Sequence, residues 1–229
     1  MSDYLEEDKA SPKRPMFLQS FARRKSRAYS REQRKLIDGL YQELRIKEDL
    51  SNLGELTSGY EQICLEIGFG AGEHLLHQAS KNPKKLYIGA EVFMNGVASC
   101  VQEMDASGIK NIRFFDQDSR ILLSKLPERS LDIIYLLFAD PWPKVRHNKR
   151  RIYKYETLSL FNQILKNDGF VRVATDHKDY WEWILEKSEE QNLFNFEVIE
   201  QPKDHIVTRY QQKGLDEGRP SQFLELIKK

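Results

Sequence analysis

The sequence predicts an α/β fold: a mainly parallel sheet with helices on both faces and an antiparallel edge. Three observations predict it. From Ile63 onward short apolar runs alternate with helical segments, which is the rhythm of βαβ units. The first of these runs ends in glycines at alternate positions, Gly68, Gly70 and Gly72, immediately before a helical segment. The last two runs follow one another with no helix evident between them, which is the mark of an antiparallel pair.

Taken in order, Met1 to Pro15 is polar and holds two prolines, so disorder is expected there. Residues 17 to 51 alternate aromatic and basic residues and then read as a helix. Its start is Ser30-Arg-Glu-Gln33, and Leu36, Leu40 and Leu44 recur at helical spacing. Residues 1–51 are thus expected to form a basic arm, partly disordered, with a helix, ahead of a domain spanning 52–229. Predicted strands are 63–68, 85–92, 111–116, 131–139 and 169–175. Predicted helices between and after them are 72–79, 95–107, 120–126, 155–165 and 180–192, and the closing strands are 195–200 and 222–227.

Of the 229 residues, 40% are hydrophobic and 31% charged, the balance of a globular chain. The longest apolar stretch, Ile133 to Ala139, is far too short to span a bilayer, and Met-Ser-Asp-Tyr-Leu-Glu-Glu-Asp is the opposite of a signal peptide. A cytoplasmic location without membrane contact is expected. Cys64 and Cys100 lie inside apolar stretches and read as buried, inert thiols. Glu73, His74 and His77 lack further ligands at metal spacing and read as surface residues, so no metal is expected.

The formal net charge of +1 conceals two basic blocks. Residues 13–35 hold nine cations against Glu32, a net of +8, and residues 144–154 hold six with no acid, leaving −13 for the rest. Clustered positive charge on an acidic body suits a polyanion bound at a defined face.

The glycine turn lets the backbone approach a ligand closely at the carboxyl end of the sheet. A dinucleotide fingerprint would need a small residue at 73, where Glu73 stands, and Glu66 lies two residues before Gly68. Carboxylates so near the turn repel a pyrophosphate but attract the ammonium and sulfonium of S-adenosylmethionine. Glu91 ends the second predicted strand, where it could accept both ribose hydroxyls, and Asp118 follows the third, where it could accept from an adenine amine. The fourth strand delivers Asp140-Pro-Trp142-Pro-Lys144-Val-Arg146-His147-Asn148-Lys149-Arg150-Arg151 to the same end of the sheet. Trp142 could stack on a base or pack beneath the loop.

In this segment the chain resembles the tRNA (guanine-N7-)-methyltransferase family, matching its signature D-P-W-x-K-x-R-H-x-K-R-R at every specified position. The resemblance extends to Leu65-Glu-Ile-Gly-Phe-Gly70, Ala174-Thr-Asp176, Thr208-Arg-Tyr-Gln-Gln-Lys-Gly214 and, in the arm, Phe21-Ala-Arg-Arg24 and Gln33. It implies a Rossmann-like class I methyltransferase sheet and methyl transfer from S-adenosylmethionine to N7 of a guanine in the tRNA variable loop. It further implies Glu66, Gly68, Gly70, Glu91, Asp118 and Asp140 as cofactor positions. Lys144, Asp176, Thr208, Arg209, Tyr210 and Gln211 become substrate positions, and Arg146 to Arg151 an RNA-contacting stretch. The chain departs from the family at Ala139, often proline, and at Gln211, often glutamate, which removes a charge.

Guanine N7 carries an in-plane lone pair, so no strong base is needed, and Asp140 is expected to orient and stabilise rather than abstract. Two alternatives are an exocyclic-amine nucleic-acid methyltransferase and a non-catalytic RNA-binding protein of the same fold. The first usually carries D-P-P-aromatic or N-P-P-aromatic, and the second predicts damaged cofactor acids. The chain is expected to act as a monomer or homodimer with tRNA as partner.

Overall fold

The computed structural model describes Arg24 and residues 26–229. The expected disorder of residues 1–15, the cations Lys13, Arg14, Arg23 and Lys25, and most of Phe21-Ala-Arg-Arg24 lie outside the described residues.

The elements run α1 (Arg31–Asp38), α2 (Leu40–Leu44), α3 (Leu53–Thr57), β1 (Gln62–Ile67), α4 (Glu73–Lys81), β2 (Lys85–Ala90), α5 (Met94–Ala106) and β3 (Ile112–Phe115). They continue with α6 (Ser119–Leu123), β4 (Leu131–Leu137), a 3-10 helix (Val145–Arg150), α7 (Tyr155–Ile164), β5 (Leu165–Thr175), α8 (Lys178–Glu190), β6 (Phe194–Ile199), α9 (Arg209–Asp216) and β7 (Gln222–Lys228). Seven strands form one sheet in the order β3-β2-β1-β4-β5-β7-β6. The first five are mutually parallel, whereas β7 pairs antiparallel with both β5 and β6. The antiparallel strand therefore sits one place in from the edge. The expectation of no helix between the last two strands is corrected by α9, which the polar run Arg209-Tyr-Gln-Gln-Lys had concealed. Its signal was a cap: Thr208 Oγ1 accepts from the Gln211 N–H at 3.2 Å.

Strand alternation sends successive side chains to two cores. In β4, Ile134 and Leu136 join Leu65, Ile88, Phe161 and Ile184 on the face covered by α6, α7 and α8. Ile133, Tyr135 and Leu137 join Cys64, Leu75, Val97 and Val101 on the opposite face, under α4 and α5. Both cysteines are buried there.

At the N-terminal side Ser30 caps α1 as expected, with a full capping box: its hydroxyl accepts from Gln33 N–H and its own N–H donates to the Gln33 side chain. The single helix expected through Leu44 is broken at Gly39, whose φ of −111° and ψ of −102° leave the helical region. The turn allows Tyr41 to bury and Arg45 to bridge Phe114 of β3. Ile37, Tyr41 and Ile46 lie within the two sheet cores, so this helical part of the arm is packed into the domain. Among the described residues no helix is long and apolar enough to cross a membrane.

Candidate active site

The strand order reverses between β1 and β4, and at such a switch point the connections at the carboxyl ends diverge to open a crevice. The glycine turn after β1 enters it with φ values of +74° at Gly68 and +58° at Gly70. These left-handed conformations favour glycine because no Cβ is present to clash. The Gly70 N–H donates to Glu91 Oε2 at 3.0 Å, and the Phe93 N–H donates to Oε1 at 2.8 Å. Glu91 is thus locked to the turn with one backbone donor on each oxygen. Burial raises its pKa from the ordinary carboxylate value against those hydrogen bonds, and the charge of Asp140 acts in the same direction as burial. At the start of α5, a Cβ on Gly96 would collide with the Gly70 carbonyl, so this helix packs directly on the turn.

A cavity of about 460 Å³ opens beside the turn. Glu66, Glu73 and His74 line one part of it, Gly68 to Ala71 another, and Leu137, Phe138, His205 and Thr208 to Tyr210 the rest. Glu66 alternates with Leu65 and Ile67, so its side chain points to the α4 side of the sheet. There its Oε2 meets His74 Nδ1 at 2.8 Å. His74, expected at the surface, is only 2% exposed. The correction has a physical reason: the first turn of α4 folds back over β1 and delivers His74 against the Glu66 carboxylate and the edge of Tyr135. Gln78, one turn further, reaches His74 Nε2 at 3.4 Å and donates to the Asp204 carbonyl at 2.8 Å. Arg172 completes the network, forked between Asp204 and Glu225.

The segment before and within α9 closes over this cavity. The Arg209 N–H donates to Glu73 Oε2 at 2.6 Å and its guanidinium pairs with the same carboxylate, so the residue that argued against a pyrophosphate also fastens the cover. The Tyr210 ring stands 5.7 Å from that of Phe138. Gln211 behaves differently from its neighbours. It is 1% exposed, its amide oxygen faces His205 Nε2 at 2.9 Å, and its nitrogen donates to Gln201. At Gln211, expected as a substrate position, the contacts present are internal. Burial pushes the His205 imidazole below its ordinary pKa, keeping it neutral beside the cavity. Asp176, at the end of β5, accepts from Arg219 Nε at 2.9 Å, and Gly214 of α9 lies so close that a Cβ there would strike its carboxylate.

The loop after β4 departs from the sheet with Phe138 N–H still bonded to the Ala174 carbonyl at 2.8 Å. Phe138 and Trp142 both adopt positive φ, +52° and +44°. For residues with a Cβ such a conformation costs about 1–2 kcal/mol each, so the fold must hold the loop in place. Asp140 stands exposed between them, within electrostatic reach of Glu91 and Tyr210. Trp142 packs within its own loop, its ring edge-on to His147 at 5.8 Å and beneath the Arg150 guanidinium at 4.9 Å. Lys144, Arg146 and Lys149 are exposed, and His147, Asn148 and Arg150 half-buried. Desolvation lowers the His147 pKa, and Arg150, Arg146, Lys144 and Lys149 lower it further. Arg151 is 1% exposed. Expected in the RNA-contacting stretch, its guanidinium is enclosed by the protein.

Asp118 caps α6 through the Arg120 N–H, and its two oxygens also take the Arg120 guanidinium at 2.8 and 2.5 Å. Any further donor shares this carboxylate with that arginine. Two lining residues, His74 and His205, escaped the sequence reading. A signal existed for the first, since a helix leaving the turn must repack on the Glu66 face. None existed for the second, which lies in an irregular segment.

The family described as "Putative methyltransferase" matches residues 60–224. A tRNA (guanine-N(7)-)-methyltransferase of Caulobacter vibrioides is 39% identical over 208 residues, covering 89% of this chain and 92% of the relative. One of Rhodospirillum rubrum is 35% identical over 217 residues, covering 89% and 85%. Among solved structures the 16S rRNA methyltransferase KamB superposes with a TM-score of 0.55 at 18% identity, over 78% of this chain and 94% of that one, which supports the sheet architecture. With the glycine turn, its acids and the basic loop assembled as described, the chain belongs to the tRNA (guanine-N7-)-methyltransferase family.

Proposed function

We propose that this chain transfers a methyl group from S-adenosylmethionine to N7 of a guanine in the variable loop of tRNA, in the cytoplasm. The observation that carries the reading is the carboxylate set at the glycine turn. Glu66 lines the cavity, Glu73 stands at its mouth, and Glu91 is locked to Gly70. This donor set fits a cationic ligand with ribose hydroxyls and disfavours a pyrophosphate. When bound, S-adenosylmethionine supplies an electrophilic methyl on a sulfonium.

The chain's own residues supply binding and orientation. Glu66, held by His74, faces the ammonium end; Glu91 keeps lone pairs for ribose hydroxyls; Gly68 and Gly70 bring the backbone close. Asp118 shares the adenine end with Arg120. Asp140 accepts from the N1–H and amino edge of guanine and stabilises the positive charge that grows on the purine. No residue needs to take a proton, because N7 attacks through a free lone pair. Alignment of the reacting atoms in this manner contributes roughly 7–11 kcal/mol. Thr208, Arg209 and Tyr210 cover the base, with Asp176 beneath α9, while Lys144, Arg146, His147, Asn148, Lys149 and Arg150 meet RNA phosphates, joined by cations of residues 1–51.

Transfer of labelled methyl to bulk tRNA, followed by borohydride and aniline treatment, tests the reading at base resolution. Strand scission at one variable-loop guanine is expected. Label incorporated without scission overturns N7 as the acceptor, with exocyclic-amine methylation then read by nucleoside analysis, and absence of label in tRNA overturns the reading outright.

A further inference from the structure

We propose that Arg151 is a positioning residue, which pins the Asp140–Trp142 loop and does not bind RNA. The inference rests on the tRNA-methylating reading above. Four contacts converge on its guanidinium. Nε donates to the Pro141 carbonyl at 2.8 Å, Nη2 pairs with Asp179 of α8, and the flat face lies 5.3 Å from the Tyr180 ring centroid and 5.0 Å from that of Trp183. With 1% of the residue exposed, no face remains for a phosphate.

The anchored atom matters. Pro141 follows Asp140 directly and has no N–H, so its carbonyl is the one main-chain group of that residue through which the loop can be fastened. The loop is bonded to β5 at Phe138 and to Arg151 at Pro141, and the two positive-φ residues lie at its ends. Arg151 also closes the 3-10 helix, its N–H donating to the Asn148 carbonyl at 3.0 Å. Residues 141–151 therefore form a loop whose base the Arg151 side chain ties, alongside the Trp142–Arg150 stack. Its exposed cations, Lys144, Arg146 and Lys149, lie between the two ends of that tie. Phosphates engaging those cations act on a loop whose other end carries Asp140. Lysine cannot replace this arginine, because an ammonium lacks the fork that reaches a carbonyl and a carboxylate at once and the plane that lies on two rings.

The test separates charge from geometry. Arg151→Lys keeps the charge. We expect kcat to fall about 100-fold, the scale of an ångström's misplacement, while tRNA affinity and the slope of log K against log salt stay at wild-type values. Exposed Arg146→Gln is the contrast, with weaker tRNA binding and a slope flatter by about 0.7–0.9. Asp179→Asn, at an exposed partner outside the core, leaves the Pro141 contact and should lower kcat several-fold with an unchanged slope. Wild-type kcat in Arg151→Lys overturns the proposal, as does a flattened salt slope. Should Arg151→Lys fail to fold, wild-type kcat in Asp179→Asn overturns it instead. If wild-type protein binds tRNA but methylates none, the function assigned above falls, while the salt slopes still decide whether Arg151 meets phosphate.

Discussion

Two loops cross the carboxyl end of the sheet side by side, and they are built on opposite electrostatic plans. The turn after β1 is short, rich in glycine and surrounded by carboxylates, with Glu91 locked to its backbone and Glu66 buried against His74. The loop after β4 is long, free of glycine and carries six cations between Lys144 and Lys154. On the function proposed above, the first encloses a small cation and the second meets a large anion. On that reading the segregated charges keep the two ligands apart, and Asp140 stands at the junction, its charge reaching Glu91.

The largest effect that would break this division is at the junction. Asp140→Asn is expected to lower kcat about 100-fold or more, the scale of a lost electrostatic stabiliser, with S-adenosylmethionine affinity little changed. Full turnover in steady-state assays would remove Asp140 from the mechanism. Next comes Glu66→Gln, which keeps an acceptor for His74 but loses the charge. It should weaken S-adenosylmethionine binding about tenfold, in line with roughly 1.5 kcal/mol for a hydrogen bond to a charged group, and leave tRNA affinity unchanged by calorimetry. Equal loss for both ligands would mean that the two loops are not independent.

His74→Leu tests the support beneath the first loop. Leaving Glu66 Oε2 buried without its partner should cost about 1–3 kcal/mol, read as a lower denaturant midpoint, with cofactor affinity falling as well. The smallest effect belongs to the second loop. The His147 pKa lies below its ordinary value because of desolvation and then four neighbouring cations, so the ring is neutral at neutral pH. Bound phosphates would offset those cations and raise it, so tRNA binding should take up protons and strengthen as pH falls through that range. An imidazole resonance that titrates identically with and without tRNA would show that the loop does not meet phosphate at His147.

Much of this was legible beforehand. Strand ends are local features, and the acids Glu66, Glu91 and Asp140 could be placed at them from the alternation of apolar runs alone. The cap at Ser30 was equally plain. Less legible were residues whose character suggested one surrounding and whose packing supplied another. His74 and Arg151 are polar and were expected outside, yet both are buried, His74 against Glu66 of β1 and Arg151 against the Pro141 carbonyl and Asp179 of α8. Gln211 lies in a segment assigned to substrate, yet it turns inward to His205.

By itself the sequence determined the alternation of strands and helices from β1 to β6, the glycine turn, the acids at the strand tips and the two blocks of positive charge, since each depends on neighbours along the chain. Tertiary structure decided the insertion of β7 between β5 and β6, the closing of α9 over the cavity, and the directions of His74, Arg151 and Gln211. Those outcomes depend on which surface packs against a side chain and whether that surface satisfies its hydrogen bonds, and the packing partners here, such as Glu66 with His74 or Arg151 with Pro141 and Asp179, come from separate elements.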